Sequence, residues 1–201
     1  MKKPISIYIN LKISHLYFNA IESAYIESLI HEIEHILPHY TEKYYLKDIF
    51  VDCPYNILFS FHILERVVFS IEKYFSTYKE ICFKKPFIYT TVDYLGFGLR
   101  SKTKVGNICT THTENIREYI TSPIGSKSIR KLSLFEEASF YFLHHIPSGM
   151  DIREFGYIYG ENIRKIFEEK LKKQKKYFSK TGYIYVLKDK SKKEEIYKYI
   201  L

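Results

Sequence analysis

Hydrophobic positions near the start of the chain follow two different periods. From Ile5 to Ile13, isoleucine and leucine alternate with other residues, which predicts a β-strand with one apolar face. From Ala20 to Leu37 the apolar positions recur every three or four residues, which predicts an amphipathic helix that Pro38 ends. A short extended piece at residues 15–18 is compatible with the pattern between them.

The rest of the chain alternates between helical and extended patterns. We predict helices at residues 56–78, 132–146, 152–176 and 192–201, a β-hairpin over 86–109 that turns around Gly96 and Gly98, and a strand at 182–187. Together these elements predict an α+β fold, with a small sheet and about four main helices, in a single domain over residues 1–201.

Charge is concentrated near the C-terminus. The 201 residues hold 31 Lys and Arg against 23 Asp and Glu, a net charge of +8. Residues 164–201 alone hold 13 basic residues against 5 acidic ones, so the rest of the chain is balanced. This basic C-terminal segment is either a solvated surface or, through Lys170–Lys180 with its interleaved aromatic residues, a weak contact for nucleic-acid phosphates.

Cysteine content and hydropathy indicate where the protein works. The three cysteines, Cys53, Cys82 and Cys109, are far apart and form no disulfide or C-x-x-C pattern. We therefore predict free thiols and a cytoplasmic location. The N-terminus lacks the features of a signal peptide, and no apolar run is long enough to span a bilayer, so we expect no membrane association.

The first predicted helix contains His31-Glu-Ile-Glu-His35, an H-E-x-x-H pattern. Residues four apart share one face of a helix, so His31 and His35 can both reach one Zn²⁺ ion, beside which Glu32 can act as general base on bound water. The same five residues also spell the inverted H-x-x-E-H pattern, in which Glu34 would be the base.

A zinc site needs a third protein ligand. The segment from Leu134 to Phe142 resembles the E-G-x-A-x-Y-F helix of gluzincin peptidases, and that resemblance implies Glu136 as the third ligand. Glu137, one residue further, and His39, four residues after His35, stay open as alternatives. The roughly 100 residues between His35 and Glu136 exceed the usual gluzincin spacing, so the intervening helix and hairpin would be an insertion.

A second segment, Phe155 to Ile163, is similar to the one that follows the ligand helix in some small zinc-dependent peptidases. That resemblance implies Tyr157 or Tyr159 as a hydrogen-bond donor to the oxyanion, with His145 as another candidate. The resemblance to zincin-like peptidases as a whole implies a metal-binding hydrolase that cleaves peptide bonds of a cytoplasmic protein or peptide.

One other class of protein fits the composition. The basic C-terminal segment and the 20 tyrosines are also typical of a non-enzymatic factor, of phage or defence type, that contacts nucleic acid or another protein. Zinc content of the purified protein separates this alternative from the metallopeptidase.

Overall fold

A computed structural model describes residues 2–11, 18–52, 61–83, 93–189, 191, 195, 196 and 199. The described residues belong to two compact units: unit 1 lies within residues 2–131, and unit 2 begins at Leu132. The single domain over residues 1–201 stays a prediction.

A mixed sheet of seven strands forms the centre of unit 1. Its order is β3–β2–β1–β4–β5–β6–β7; the first four strands are parallel, and β5, β6 and β7 each run antiparallel to the preceding strand. The strands are β1 (Lys3–Asn10), β2 (Tyr44–Asp52), β3 (Glu80–Cys82), β4 (Asp93–Phe97), β5 (Lys102–Val105), β6 (Ile108–His112) and β7 (Lys127–Lys131).

The described residues of unit 1 form three α-helices: α1 (Phe18–Ile36), α2 (Phe61–Glu72) and α3 (Ile116–Thr121). The alternating Ile5, Ile7 and Ile9 of β1 are fully buried in one core with the apolar stripe of α1, so the strand and helix periods are both confirmed. Pro38 lies in a short 3₁₀ turn directly after α1, as a residue that cannot continue an α-helix should.

One edge of the unit 1 sheet gathers the carboxyl ends of its parallel strands. Asn10 is paired with Asp52, and its neighbour Ile9 is paired with Phe97, so β1, β2 and β4 end together. Strand β6 runs parallel to β4 and ends at His112, which is paired with Lys127, the first residue of β7. Polar residues of four strands, β1, β2, β6 and β7, therefore lie at one edge.

Within residues 132–189, unit 2 packs three helices, α4 (Leu134–His145), α5 (Ile152–Tyr159) and α6 (Glu161–Lys173), with a three-stranded antiparallel sheet of order β8–β10–β9. Its strands are β8 (Met150–Asp151), β9 (Phe178–Thr181) and β10 (Ile184–Leu187). We predicted one helix over 152–176; the structure has two, because Gly160 adopts φ +92° between them.

The α+β class is confirmed, although the sheet of unit 1 is larger than the small one we expected. Several predicted segments lie outside the described residues: 15–17, 56–60, the first strand of the hairpin up to residue 92, most of 192–201, and Cys53. Within the described part of the chain, no helix is long and apolar enough to cross a membrane.

Candidate functional site

The carboxylate of Glu32 lies at the centre of a buried polar cluster in unit 1. Helix α1 directs this side chain toward the carboxyl edge of the sheet, where its exposure to solvent is 0 %. Its Oε2 atom accepts a hydrogen bond of 2.7 Å from the Tyr119 hydroxyl and one of 3.2 Å from the backbone N–H of Gly98. Helix α3 and the turn after β4 thus both donate to one carboxylate oxygen.

Two basic side chains face the other oxygen of Glu32. The Nε2 atom of His112 lies 2.9 Å from Oε1, and the Nζ atom of Lys127 lies 3.0 Å from it. Both are ion-pair distances, but neither contact has the angles of a hydrogen bond. The Lys127 side chain is only 15 % exposed, so its charge compensates that of the buried carboxylate in a poorly solvated place.

The turn Gly98–Ser101 is fixed from two sides. The Tyr25 hydroxyl donates to the Asn10 carbonyl at 2.6 Å and accepts from the Leu99 N–H at 3.1 Å, while the Asn10 amide donates to the Leu99 carbonyl. Gly98 has φ +93°, and a Cβ there would lie 2.5 Å from both the Asn10 carbonyl oxygen and the Tyr25 hydroxyl. Only glycine fits this position without displacing that contact.

The two buried tyrosines of the cluster are strongly held in their protonated forms. Burial raises the pKa of Tyr119 well above its usual value, and the negative charge of Glu32 raises it further. Burial likewise raises the pKa of Tyr25, against a smaller opposite effect of the hydrogen bond from Leu99. At neutral pH both hydroxyls are therefore donors.

Three buried polar atoms of the cluster have neither a hydrogen-bond nor an ion-pair partner among the described residues: Ser101 Oγ, Ser126 Oγ and His112 Nδ1. Their residues are 0–5 % exposed. Ser101 is hydrogen-bonded directly to His112, whose N–H donates to the Ser101 carbonyl at 2.9 Å. Ser126 is hydrogen-bonded to the next residue, since the Thr113 N–H donates to the Ser126 carbonyl at 2.9 Å. Such atoms are uncommon in folded proteins and call for a functional or structural reason.

A second buried polar pair lies at the same edge. The Tyr8 hydroxyl donates to Asp52 at 2.9 Å, and Asn10 lies beside Asp52 in the strand register. All three residues are less than a tenth exposed. Burial and the nearby carboxylate of Asp52 raise the pKa of Tyr8.

The structure separates Glu32 from the histidines of its motif. His31 and His35 are exposed on α1, with ring centroids 6.3 Å apart, whereas Glu32 lies on the buried face, since neighbouring residues of a helix point about 100° apart. The general-base role predicted for Glu32 needs it beside a metal held by these rings, which this arrangement does not provide. Glu34, the base of the inverted pattern, forms an ion pair with Lys73.

The predicted third ligands have other surroundings. Glu136 lies in unit 2, where its carboxylate accepts from the Ser133 N–H at 2.9 Å and completes a capping box at the start of α4. Glu137 is half-buried in the same turn, and the exposed His39 ring lies 6.1 Å from that of His35. Within the described residues, no group of three or more His, Cys, Asp or Glu side chains could hold a metal ion.

The predicted oxyanion donors also lie in unit 2. Tyr157 is 92 % exposed, whereas Tyr159 packs against the Tyr141 ring at 5.5 Å, and burial raises its pKa to about 12. His145 also packs against Tyr141, with the two ring centroids 4.2 Å apart. These contacts are aromatic packing, and the oxyanion role of the two tyrosines stays a prediction.

Comparison with known proteins gives a likeness of fold. No protein-family model matches the chain, and no curated protein matches it. Among solved structures, the chain is similar to coproporphyrinogen III oxidase (HemN) from Escherichia coli, described as a radical SAM enzyme, with a TM-score of 0.56 and 8 % identity over 99 % of this chain and 90 % of that one. At this identity the likeness concerns the fold alone.

The zincin-like prediction is therefore wrong. The fold is similar to that of a radical SAM enzyme rather than a gluzincin-type peptidase, and the described residues offer no zinc-binding group. Three dependent predictions are wrong as well: Zn²⁺ as cofactor, zinc-dependent peptide-bond hydrolysis, and the classification as a metal-binding hydrolase or metalloprotease. The alternative of a nucleic-acid-associated or protein-interaction factor is not better supported.

The cysteines do not fit the iron–sulfur cluster that radical SAM enzymes use. Such clusters are held by several cysteine thiolates at one place. The chain has three cysteines, of which Cys82 lies on β3 and Cys109 on β6, five strand spacings apart, or about 24 Å. At most two of the three can meet, so we derive no chemistry through a cluster.

The sequence motifs did not reveal the partners of Glu32. Tyr119, His112 and Lys127 belong to no recognised pattern, and they lie about 80–95 residues from Glu32. Only the burial of Glu32 could be read from the sequence, because this residue lies on the apolar stripe of α1, seven residues after the buried Tyr25 and three after Leu29.

Proposed function

We propose that unit 1 binds a small molecule at the carboxyl edge of β1, β2 and β4. In open α/β sheets, ligands bind outside the carboxyl ends of parallel strands, where connecting segments leave a crevice. The observation that carries the proposal is the placement of the Glu32 cluster and of the Tyr8–Asp52 pair at this edge.

The chemistry of the edge supports binding of a polar molecule. Buried polar side chains are costly to retain in a core, and apolar residues would fill the same space more cheaply. Here Asn10, Asp52, Glu32 and His112 are each less than a tenth exposed, close to one edge of the sheet. A binding site needs such groups held rigidly, and the turn Gly98–Ser101 is held by hydrogen bonds from both sides.

A matched pair of tyrosines tests the proposal. Tyr8 donates to Asp52 at the carboxyl edge, and Tyr44 donates to Asp93 at 2.8 Å at the opposite edge. A library of small polar metabolites is first screened against the intact protein by ligand-observed NMR. We expect Tyr8→Phe to weaken binding of the compounds found, and Tyr44→Phe to leave it unchanged.

Two outcomes would contradict this proposal. One is a library in which no compound binds the folded protein. The other is binding that Tyr44→Phe weakens as much as Tyr8→Phe does, since the ligand would then not distinguish the two edges. Circular dichroism of each variant shows that a loss of binding is not a loss of folding.

A further inference from the structure

The three unpartnered atoms of the Glu32 cluster restrict the chemistry of the ligand. Ser101 and His112 are directly opposite each other where β5 and β6 meet the edge, because Lys102 is paired with Thr111 and the His112 N–H donates to the Ser101 carbonyl. Side chains of directly opposite residues point to the same face, with Cβ atoms roughly 4.5–5.5 Å apart. The imidazole and the Ser101 hydroxyl are thus neighbours.

The position of the imidazole leaves one nitrogen for a ligand. The Nε2 atom lies against Glu32, with the Tyr119 ring 5.9 Å from the imidazole ring, so the side chain is fixed. Nδ1 is buried and has no hydrogen-bond partner among the described residues. With Nε2 at ion-pair distance from Glu32, Nδ1 is the nitrogen left to exchange a hydrogen bond with a bound group.

Charge in the cluster disfavours an ionic ligand. The carboxylate of Glu32 is already compensated by Lys127 at 3.0 Å. A further net charge brought into this buried place would have no counter-charge, and burying an unpaired charge is unfavourable. The two serine hydroxyls can both donate and accept, and so can the hydroxyl groups of a ligand.

We infer that Ser101, Ser126 and His112 Nδ1 recognise the hydroxyl groups of a small neutral polyol or sugar, with Glu32 as the positioning group for His112; this rests on the proposed ligand site. The ligand enters from the β7 end. Lys127, the first residue of β7, has a side chain that is 15 % exposed, whereas the Ser101 and Ser126 hydroxyls and the His112 side chain are buried.

The experiment compares three chemical classes of probe at millimolar concentration. Neutral polyols and sugars (glycerol, a hexitol, an inositol and a hexose) are tested against small carboxylates and small amines by saturation-transfer NMR and titration calorimetry. Millimolar concentrations are essential, because polyols at molar concentration stabilise any protein through exclusion from its surface. We expect a polyol or sugar to bind, and neither charged class.

Serine variants then locate the contact. Ser101→Ala and Ser126→Ala each remove a hydroxyl that makes no hydrogen bond within the described chain, so neither should lower the melting temperature. Each substitution should weaken the binding of the polyol at least tenfold. The matched control is Ser128→Ala, an exposed residue of the same strand β7, which should leave the affinity unchanged.

The possible results separate the two proposals. If only carboxylates or amines bind, or if a polyol binds with equal affinity to Ser101→Ala, Ser126→Ala and the unaltered protein, then the inference about hydroxyl recognition is wrong while ligand binding by unit 1 stands. If no probe of any class and no library compound binds, both are wrong, and the cluster holds ordered water only.

Discussion

Replacing Glu32 by glutamine separates the structural role of this residue from the general-base role that the H-E-x-x-H pattern predicted. Glutamine keeps the shape of the side chain but removes its charge, so Lys127 and His112 lose the carboxylate at 3.0 and 2.9 Å. Removing one partner of a buried ion pair costs about 3–5 kcal/mol. The amide oxygen can still accept from Tyr119, and Lys127 reaches solvent in part, so we expect a loss near 3 kcal/mol.

The assay is urea unfolding followed by circular dichroism, with the melting temperature as a second measurement. For a chain of this size, each kcal/mol lowers the melting temperature by about 2–4 °C, which predicts a fall of roughly 6–12 °C for Glu32→Gln. The matched control is Glu34→Gln on the same helix, since Glu34 forms an exposed ion pair with Lys73, worth only about 0–1 kcal/mol. Equal losses for the two variants would refute the assignment of Glu32 as a buried structural carboxylate.

Four further predictions follow from contacts and charges already described. Gly98→Ala should destabilise unit 1 by at least about 1–3 kcal/mol in urea unfolding, since its φ is +93° and its Cβ would meet two polar atoms. Alanine at His31 and His35 should change stability by no more than about 0.5 kcal/mol, because both are exposed; a larger loss would show a contact that these rings lack here. Because the pKa of Tyr119 is raised in the folded state, the stability due to it is complete below pH 10 and is lost as the pH rises further. Unfolding measured from pH 9 to 11.5 should show that fall, and Tyr119→Phe should make it shallower. The predicted contact of Lys170–Lys180 with nucleic acid is checked by charge reversal of its lysines: binding to a short DNA duplex and its salt dependence should both decrease.

Periodicity predicted the local elements well because they depend on neighbours in sequence. The alternation of Ile5, Ile7 and Ile9 marked β1, and the three- and four-residue spacing marked α1. That same spacing placed Glu32 on the buried stripe with Leu29, which was a sign of a buried carboxylate. The H-E-x-x-H pattern led us to predict a zinc site instead. A buried Glu32 and an exposed His31 on one helix cannot lie beside the same zinc ion.

The candidate site could not be predicted, because its geometry depends on strand order. Four strands of the unit 1 sheet are parallel, and β4 lies beside β1 although about 80 residues separate them. Nothing local places Gly98 or His112 next to α1. Only the pairing of β4 with β1, and of the later strands in turn, brings their polar ends to the carboxyl edge.

The donors around Glu32 also set a constraint on how the chain is made. Lys127 follows Glu32 by roughly 95 residues, and a ribosome adds about 5–20 residues per second. For about 5–20 s after its synthesis, the Glu32 carboxylate therefore has no native counter-charge and must stay hydrated. We therefore expect helix α1 to dock stably on β1 only after β7 emerges, and the apolar face of β1 to be accessible to chaperones until then.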